Sequence, residues 1–92
     1  MMKIQMKELD GELVLQVEGR LAGTYELELL EDFWQAARVK QPNRKISVDL
    51  KNVTCIDQAG RRLLQSMHRC GTGFLGAGLA IQDILEEVME QP

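Results

Sequence analysis

A segment near the middle of the chain constrains the fold more than any other feature. Ile46, Val48 and Leu50 alternate with polar residues, which is the period of a β-strand with one buried face. Asp57 stands where the N-cap of a helix belongs, because its carboxylate can accept a hydrogen bond from a free N–H of the first helical turn. Residues 61–69 then continue at helical spacing. The pattern predicts a strand, a short loop, a turn at Asp57 and a helix whose first N–H groups face outward.

The flanking segments supply three more strands and two more helices. Asp10 and Gly11 form a two-residue hairpin signal, since a type I′ turn needs positive φ at both central positions. Thr24 is expected to cap the first helix. The further predicted elements are strands over residues 3–9, 12–18 and 74–77 and helices over residues 24–39 and 79–90. We therefore predict an α/β fold: a small mixed β-sheet of about four strands, with an antiparallel hairpin, parallel later strands, and helices mainly on one face.

Composition bounds the class of protein. The 92 residues are expected to form one domain, residues 1–92. The net charge is −3 and no basic stripe with interleaved aromatic residues is present, so we expect no nucleic-acid partner. No apolar run approaches about 18 residues, so we expect no direct membrane insertion. The N-terminal residues lack the apolar core of a signal peptide, and we expect a cytoplasmic protein.

The residues that could carry chemistry do not form a reactive set. Cys55 and Cys70 are interpreted as reduced, buried, small side chains, because two isolated cysteines and one histidine lack the spacing of a metal site. Residues 71–76 match G-x-G-x-x-G, but a helix precedes them and a strand begins inside them, so no dinucleotide cofactor is expected. His68 has no nearby Ser, Cys or second His to form a nucleophile–base pair. We predict a protein that is not an enzyme and needs no cofactor or metal.

The segment around Asp57 resembles the signature of the STAS domain, the fold shared by bacterial anti-sigma-factor antagonists and the cytoplasmic tails of sulfate transporters. In that family an apolar strand ends in Asp-Leu, and an apolar residue then precedes Asp-Ser-Ser-Gly and a Leu-rich helix. The pairs Asp49-Leu50 and Ile56-Asp57 match as they stand, and so does Gly60. Residues 17–21 resemble the family's earlier strand-to-helix turn. The resemblance implies a single STAS-like domain.

One departure from the family pattern bears on regulation. In the phosphorylation-controlled antagonists, the second Ser of Asp-Ser-Ser-Gly accepts the phosphate. This chain has Ala59 at that position and Gln58 in place of the first Ser. Because Ala has no hydroxyl, the resemblance implies a member that cannot be switched by phosphorylation at this position.

The resemblance implies a non-catalytic regulatory module that binds another protein, typically an anti-sigma kinase-like ATPase. An alternative is the cytoplasmic STAS subunit of an ABC-type lipid transporter, docked on the transporter's ATPase. The implied docking residues are Asp57, Gln58, Ala59, Gly60, Arg61, Arg62 and Gln65. Arg61 and Arg62 add positive charge to a helix N-terminus, which suits a carboxylate or phosphate on a partner. Two solvated arginines on a helix are the plainer interpretation, and the sequence leaves both open.

Overall fold

The chain begins with a β-hairpin closed by a two-residue turn. In the computed structural model, which describes residues 2–90, β1 spans Lys3–Leu9 and β2 spans Glu12–Leu21. Asp10 and Gly11 have φ angles of 51° and 82°. Positive φ at both positions is the geometry of a type I′ turn, and it confirms the predicted hairpin.

The remaining elements build a mixed sheet with three helices. They are α1 at Thr24–Lys40, β3 at Ile46–Ile56, α2 at Gln58–Arg69, β4 at Gly73–Leu75 and α3 at Leu79–Glu90. The strand order is β1-β2-β3-β4, with the first pair antiparallel and the other two pairs parallel. The predicted fold class is confirmed. Within residues 2–90 no helix combines the length and the apolar character needed to cross a membrane. Met1, Gln91 and Pro92 of the predicted domain lie outside the described residues.

The strand that leads to Asp57 is longer than the sequence pattern predicted. The expected short loop after Leu50 is wrong, because β3 continues to Ile56. Its partner β2 likewise continues to Leu21, and two register shifts accommodate the pairing over this length. Val53 and Ile56 are each 6% exposed, so the end of the strand still packs in the core. The turn before α2 therefore rests on a buried strand end.

The three helices cover one face of the sheet, as predicted. The shared core contains the following buried residues: Leu13, Leu15, Val17, Val48 and Leu50 from the sheet, and Leu30, Trp34, Leu64, Met67, Ile81 and Leu85 from the helices. Val14 and Ser47 point to the opposite face, since side chains alternate along a strand. They are register partners on adjacent strands and are also buried. The alternating pattern did not predict this second buried pair.

The cap predicted for α1 is wrong. The N-cap residue is Gly23 rather than Thr24, and no side chain makes a cap hydrogen bond there. Gly23 has a φ of 93°, a conformation that glycine adopts without the steric cost of a Cβ. Thr24 is the first helical residue, so its hydroxyl is not positioned as an N-cap acceptor.

Helix α2 is rotated toward Leu64 relative to the predicted buried face, which consisted of Ala59, Leu63, Met67 and Cys70 and was broadened by Leu64. Its buried residues are Gly60, Leu64 and Met67. Leu63 is partly buried against the core, whereas Ala59 is exposed. The rotation follows from the burial of Gly60, which brings the next turn of that face, Leu64, onto the sheet.

The prediction that both cysteines are buried is also wrong. Cys70 is exposed and Cys55 is partly buried, and both are free thiols. Cys70 is the C-cap of α2 and lies beyond the end of its buried face. The residue therefore stands at the surface, next to the connection into β4.

Candidate functional site

Asp57 joins the end of β3 to the start of α2. It has an extended backbone, with φ −85° and ψ −178°, and its Oδ1 accepts a hydrogen bond from the Gly60 N–H at 2.7 Å. This confirms the N-cap predicted from the sequence. The backbone N–H of Asp57 donates to the Leu21 carbonyl at 3.3 Å, which ties the turn to the end of β2.

The second carboxylate oxygen of Asp57 binds a different turn. Oδ2 accepts a hydrogen bond from the Gly23 N–H at 3.2 Å. One side chain thus links the β2–α1 turn to the first turn of α2. Because both of its oxygens are occupied in holding these two turns, Asp57 has a structural role, and it fixes the direction in which α2 leaves the sheet.

Gly60 lies inside the structure and is not part of the accessible surface. A Cβ at this position would stand 2.6 Å from the Leu21 carbonyl oxygen and 2.9 Å from Cγ2 of Ile56. Only a hydrogen fits in that space. Gly60 therefore allows α2 to pack closely against the ends of β2 and β3, and this contact positions the first turn of α2.

Gln58, Ala59 and Arg62 form the exposed part of the first turn of α2. The first N–H groups of a helix lack partners within that helix, and Asp57 engages that of Gly60. The surface at Gln58 and Ala59 therefore combines backbone donors with the positive end of the helix dipole. No hydroxyl is present at either position.

The two arginines that follow the turn differ in their surroundings. Arg61 Nη1 lies 3.2 Å from Oε2 of Glu87 on α3, and the two side chains are 39% and 68% exposed. Arg62 is exposed and forms no ion pair with another residue of the described chain. Glu87 therefore partly neutralises the positive charge of Arg61, whereas the positive charge of Arg62 is accessible.

A groove between α2 and α3 extends this surface. It has a volume of about 240 Å³ and is lined by Gln58, Arg61, Gln65, Glu87 and Val88. Sequence reasoning included the first three and missed the two from α3. The only sequence signal for Glu87 was its place on the polar face of the last helix, which gives no information about what that face contacts.

Residues 2–90 contain no group of three or more His, Cys, Asp or Glu side chains that could hold a metal ion. The candidate site is a surface formed by the start of α2, by the two turns that Asp57 links, and by the groove between α2 and α3.

Solved structures with the same arrangement of strands and helices identify the fold. The anti-sigma factor antagonist SpoIIAA in its unphosphorylated form matches with a TM-score of 0.70 at 16% sequence identity, over 91% of this chain and 82% of that chain. The chain has the STAS fold. An anti-sigma factor antagonist from Mycobacterium paratuberculosis matches with a TM-score of 0.67 at 22% identity, over 80% of this chain and 64% of that chain. The STAS fold here thus spans less than two thirds of that second protein.

No protein-family model matches the sequence, and no curated protein matches it. At identities of 16% and 22% the likeness resides in the backbone arrangement. The resemblance to STAS proteins that residues 46–60 suggested is confirmed at the level of the fold.

Proposed function

We propose that this chain is a non-catalytic regulatory module, like a stand-alone anti-sigma factor antagonist, that binds a protein partner through the start of α2. Two structural neighbours are anti-sigma factor antagonists, which supports a module of this class. The observation that carries the proposal is the exposed first turn of α2, held rigidly by Asp57 from one side and by Gly60 from below. The proposed docking residues are Asp57, Gln58, Ala59, Gly60, Arg61, Arg62 and Gln65.

The docking residues divide into two roles. Gln58, Ala59, Arg62 and the groove side of Gln65 contact the partner, whereas Asp57 and Gly60 position the turn. The N-terminus of a helix and an accessible arginine favour a carboxylate on the partner. Arg61 contributes when the partner's acidic group displaces Glu87, because an exposed ion pair is worth at most about 1 kcal/mol.

Because residue 59 is Ala, phosphorylation at this position cannot change the charge of the docking surface. A phosphorylated Ser at this position would add close to two negative charges to the turn and change the surface that the partner meets. The side chain of Ala59 has no hydroxyl to accept a phosphoryl group. We propose that partner binding is not switched off by phosphorylation at residue 59, and that the partner is a kinase-like ATPase of the anti-sigma class in the bacterial cytoplasm.

A second candidate function draws on the same observation. A subunit that stays assembled has no need of a phosphorylation switch, and Ala59 suits such a role. In this alternative the chain is the cytoplasmic STAS subunit of an ABC-type lipid transporter and docks on the transporter's ATPase. The same exposed turn would form the contact.

A pair of matched variants tests the docking surface. Ala59 and Ala80 are both exposed, and each is the second residue of its helix, α2 and α3 respectively. Arg61 at the start of α2 pairs with Glu87 near the C-terminal end of α3, whereas Ala80 lies seven residues earlier, near the N-terminal end of that helix. Ala59→Glu and Ala80→Glu therefore introduce the same charge at the same helical position in two different places. A first-turn glutamate is tolerated in both helices.

The partner is first recovered from native lysate by crosslinking to the wild-type chain, identified by mass spectrometry and purified. Its affinity for the wild type and both variants is then measured by calorimetry. Ala59→Glu should weaken binding roughly tenfold or more, as expected when like charges meet at an interface, while Ala80→Glu should bind like the wild type. Equal affinities for all three folded proteins would exclude the start of α2 as the docking site. A kinase-like ATPase as partner supports the first candidate function, and an ABC ATPase supports the second.

A further inference from the structure

A second concave surface lies at the opposite end of α2 from Asp57. It has a volume of about 410 Å³, within the range of roughly 300–1,000 Å³ that small-molecule sites occupy. Its walls come from the last turns of α1, from residues 41–42 and 44–46, and from residues 70–72. The 12 residues of α2 separate it from the docking turn, a distance of roughly 18 Å along the helix.

The cavity is lined by cations and by no acidic side chain. Arg38, Arg44 and Lys45 line it, and none of the described residues in its walls is Asp or Glu. Arg44 pairs with Glu8, and Lys45 lies 3.7 Å from Glu12, but both acidic residues lie outside the lining. The Lys45 side chain is 61% exposed, so its pair with Glu12 is weak and an incoming anion can displace it.

The C-terminal ends of α1 and α2 lie at this cavity and place the negative ends of their dipoles there. The carbonyls of Ala37 near the end of α1 and of Met67 near the end of α2 accept backbone hydrogen bonds from Gln41 and Thr72. Carbonyls that are engaged in this way are less available to neutralise the nearby cations. The cationic character of the cavity is therefore only partly offset by the helix dipoles.

Arg38 is held in place before any ligand arrives. Its guanidinium lies over the Trp34 ring at 4.7 Å from the ring centroid and donates to Oε1 of Gln35 at 3.4 Å. Trp34 is itself anchored, because its indole Nε1–H donates to Oγ1 of Thr72 at 2.9 Å and its side chain is buried. A planar guanidinium stacked in this way keeps other N–H groups at its edge, and less side-chain entropy is lost when they bind.

We propose that this cavity binds a small organic anion carrying more than one acidic group, a polycarboxylate or a phosphate ester, with Arg38 and Lys45 as its main contacts. Arginine recognises planar carboxylate and phosphate groups through paired N–H donors, and lysine adds a point charge. Pro42 and Ile46 give the cavity an apolar wall for the carbon skeleton of the ligand. The site is independent of the proposed protein-docking turn.

The test uses the full chain labelled with ¹⁵N and titrated with citrate in one arm and inorganic pyrophosphate in the other. Sodium chloride keeps the ionic strength constant, so that non-specific screening is the same throughout. The proposal expects saturable shifts of the Gly71 and Thr72 amides and of the Trp34 indole N–H. Tighter binding of citrate identifies a polycarboxylate site, and tighter binding of pyrophosphate identifies a phosphate-ester site.

Three variants, each of which removes one positive charge, test which residues bind the anion. Arg38→Gln and Lys45→Gln should each weaken binding roughly tenfold or more, whereas Arg20→Gln, which removes the same charge from an exposed position on β2, should leave it unchanged. Lys45 is mostly exposed, so its variant keeps the fold even where Arg38→Gln disturbs the Trp34 contact. Absence of saturable shifts with both anions, wild-type affinity in Lys45→Gln, or shifts centred on residues 58–62 would each overturn the proposal.

Discussion

Gly23 donates its backbone N–H to the carboxylate of Asp57, 34 residues further along the chain, at 3.2 Å. The other oxygen of the same carboxylate caps α2 through the Gly60 N–H. Two turns that belong to different crossovers of the sheet are therefore fixed by one side chain. The surface formed by the start of α2 depends on this link for its geometry.

Replacing Asp57 should destabilise the fold by an amount in the upper part of the range for cap substitutions. Asp57→Ala removes the cap bond and the Gly23 bond together, and we expect a loss of about 1–2 kcal/mol in the free energy of unfolding. Asp57→Asn is the matched control, since its amide oxygen can still accept from Gly60, and it should lose less. Urea denaturation at neutral pH measures both. An Ala variant as stable as the wild type would show that neither bond stabilises the protein.

Gly60→Ala should destabilise the protein although alanine is the better helix former. The added Cβ would lie 2.6 Å from the Leu21 carbonyl oxygen, which belongs to a rigid strand end. Overpacking of this kind costs roughly 1–3 kcal/mol. Gly78→Ala is the control, because its Cβ would meet nothing within 4 Å, and it should change stability by no more than about 0.5 kcal/mol. Thermal denaturation followed by circular dichroism compares the two variants, and similar losses in both would contradict the predicted clash.

Adjacent leucines on α2 report how the helix is rotated. Leu64 is fully buried, whereas Leu63 is only partly buried. Leu64→Ala should reduce stability by about 2–5 kcal/mol, and Leu63→Ala by clearly less. Both variants leave the same helix propensity and differ only in the environment of the side chain. A larger loss for Leu63 in a urea titration would mean that α2 presents the other face to the sheet.

The buried hydrogen bond between Trp34 and Thr72 joins α1 to the connection before β4. Thr72→Val keeps the shape of the side chain but leaves the indole N–H without an acceptor, so we expect a loss of about 1–3 kcal/mol. Thr72→Ser retains the hydroxyl and should lose less. The emission of Trp34, the single tryptophan of the chain, follows unfolding directly. A more stable Val variant than Ser variant would show that the bond contributes little.

The order and type of the elements could be predicted from the sequence, because they depend on local patterns. Asp10 and Gly11 are residues that adopt positive φ readily, and they closed the hairpin as expected. Asp57 acted as the predicted N-cap because its contact with Gly60 spans only three residues. The apolar spacing of α3 predicted Ile81, Ile84, Leu85 and Val88 as inward residues, and all are buried except Ile84, which is partly buried.

The rotation of α2, the cap of α1 and the details of the site were decided by tertiary structure. Leu63 and Leu64 both fit a helical stripe, and the choice between them followed from the close approach of Gly60 to Leu21 and Ile56, which no local pattern encodes. Gly23, and not Thr24, is the N-cap of α1. Gly23 has a positive φ, and its backbone N–H donates a hydrogen bond to the distant Asp57. The pairing of Arg61 with Glu87 also joins residues far apart in sequence. Periodicity determines which residues share a face, but contacts between elements determine which face is buried, which charges are neutralised and which remain available to a partner.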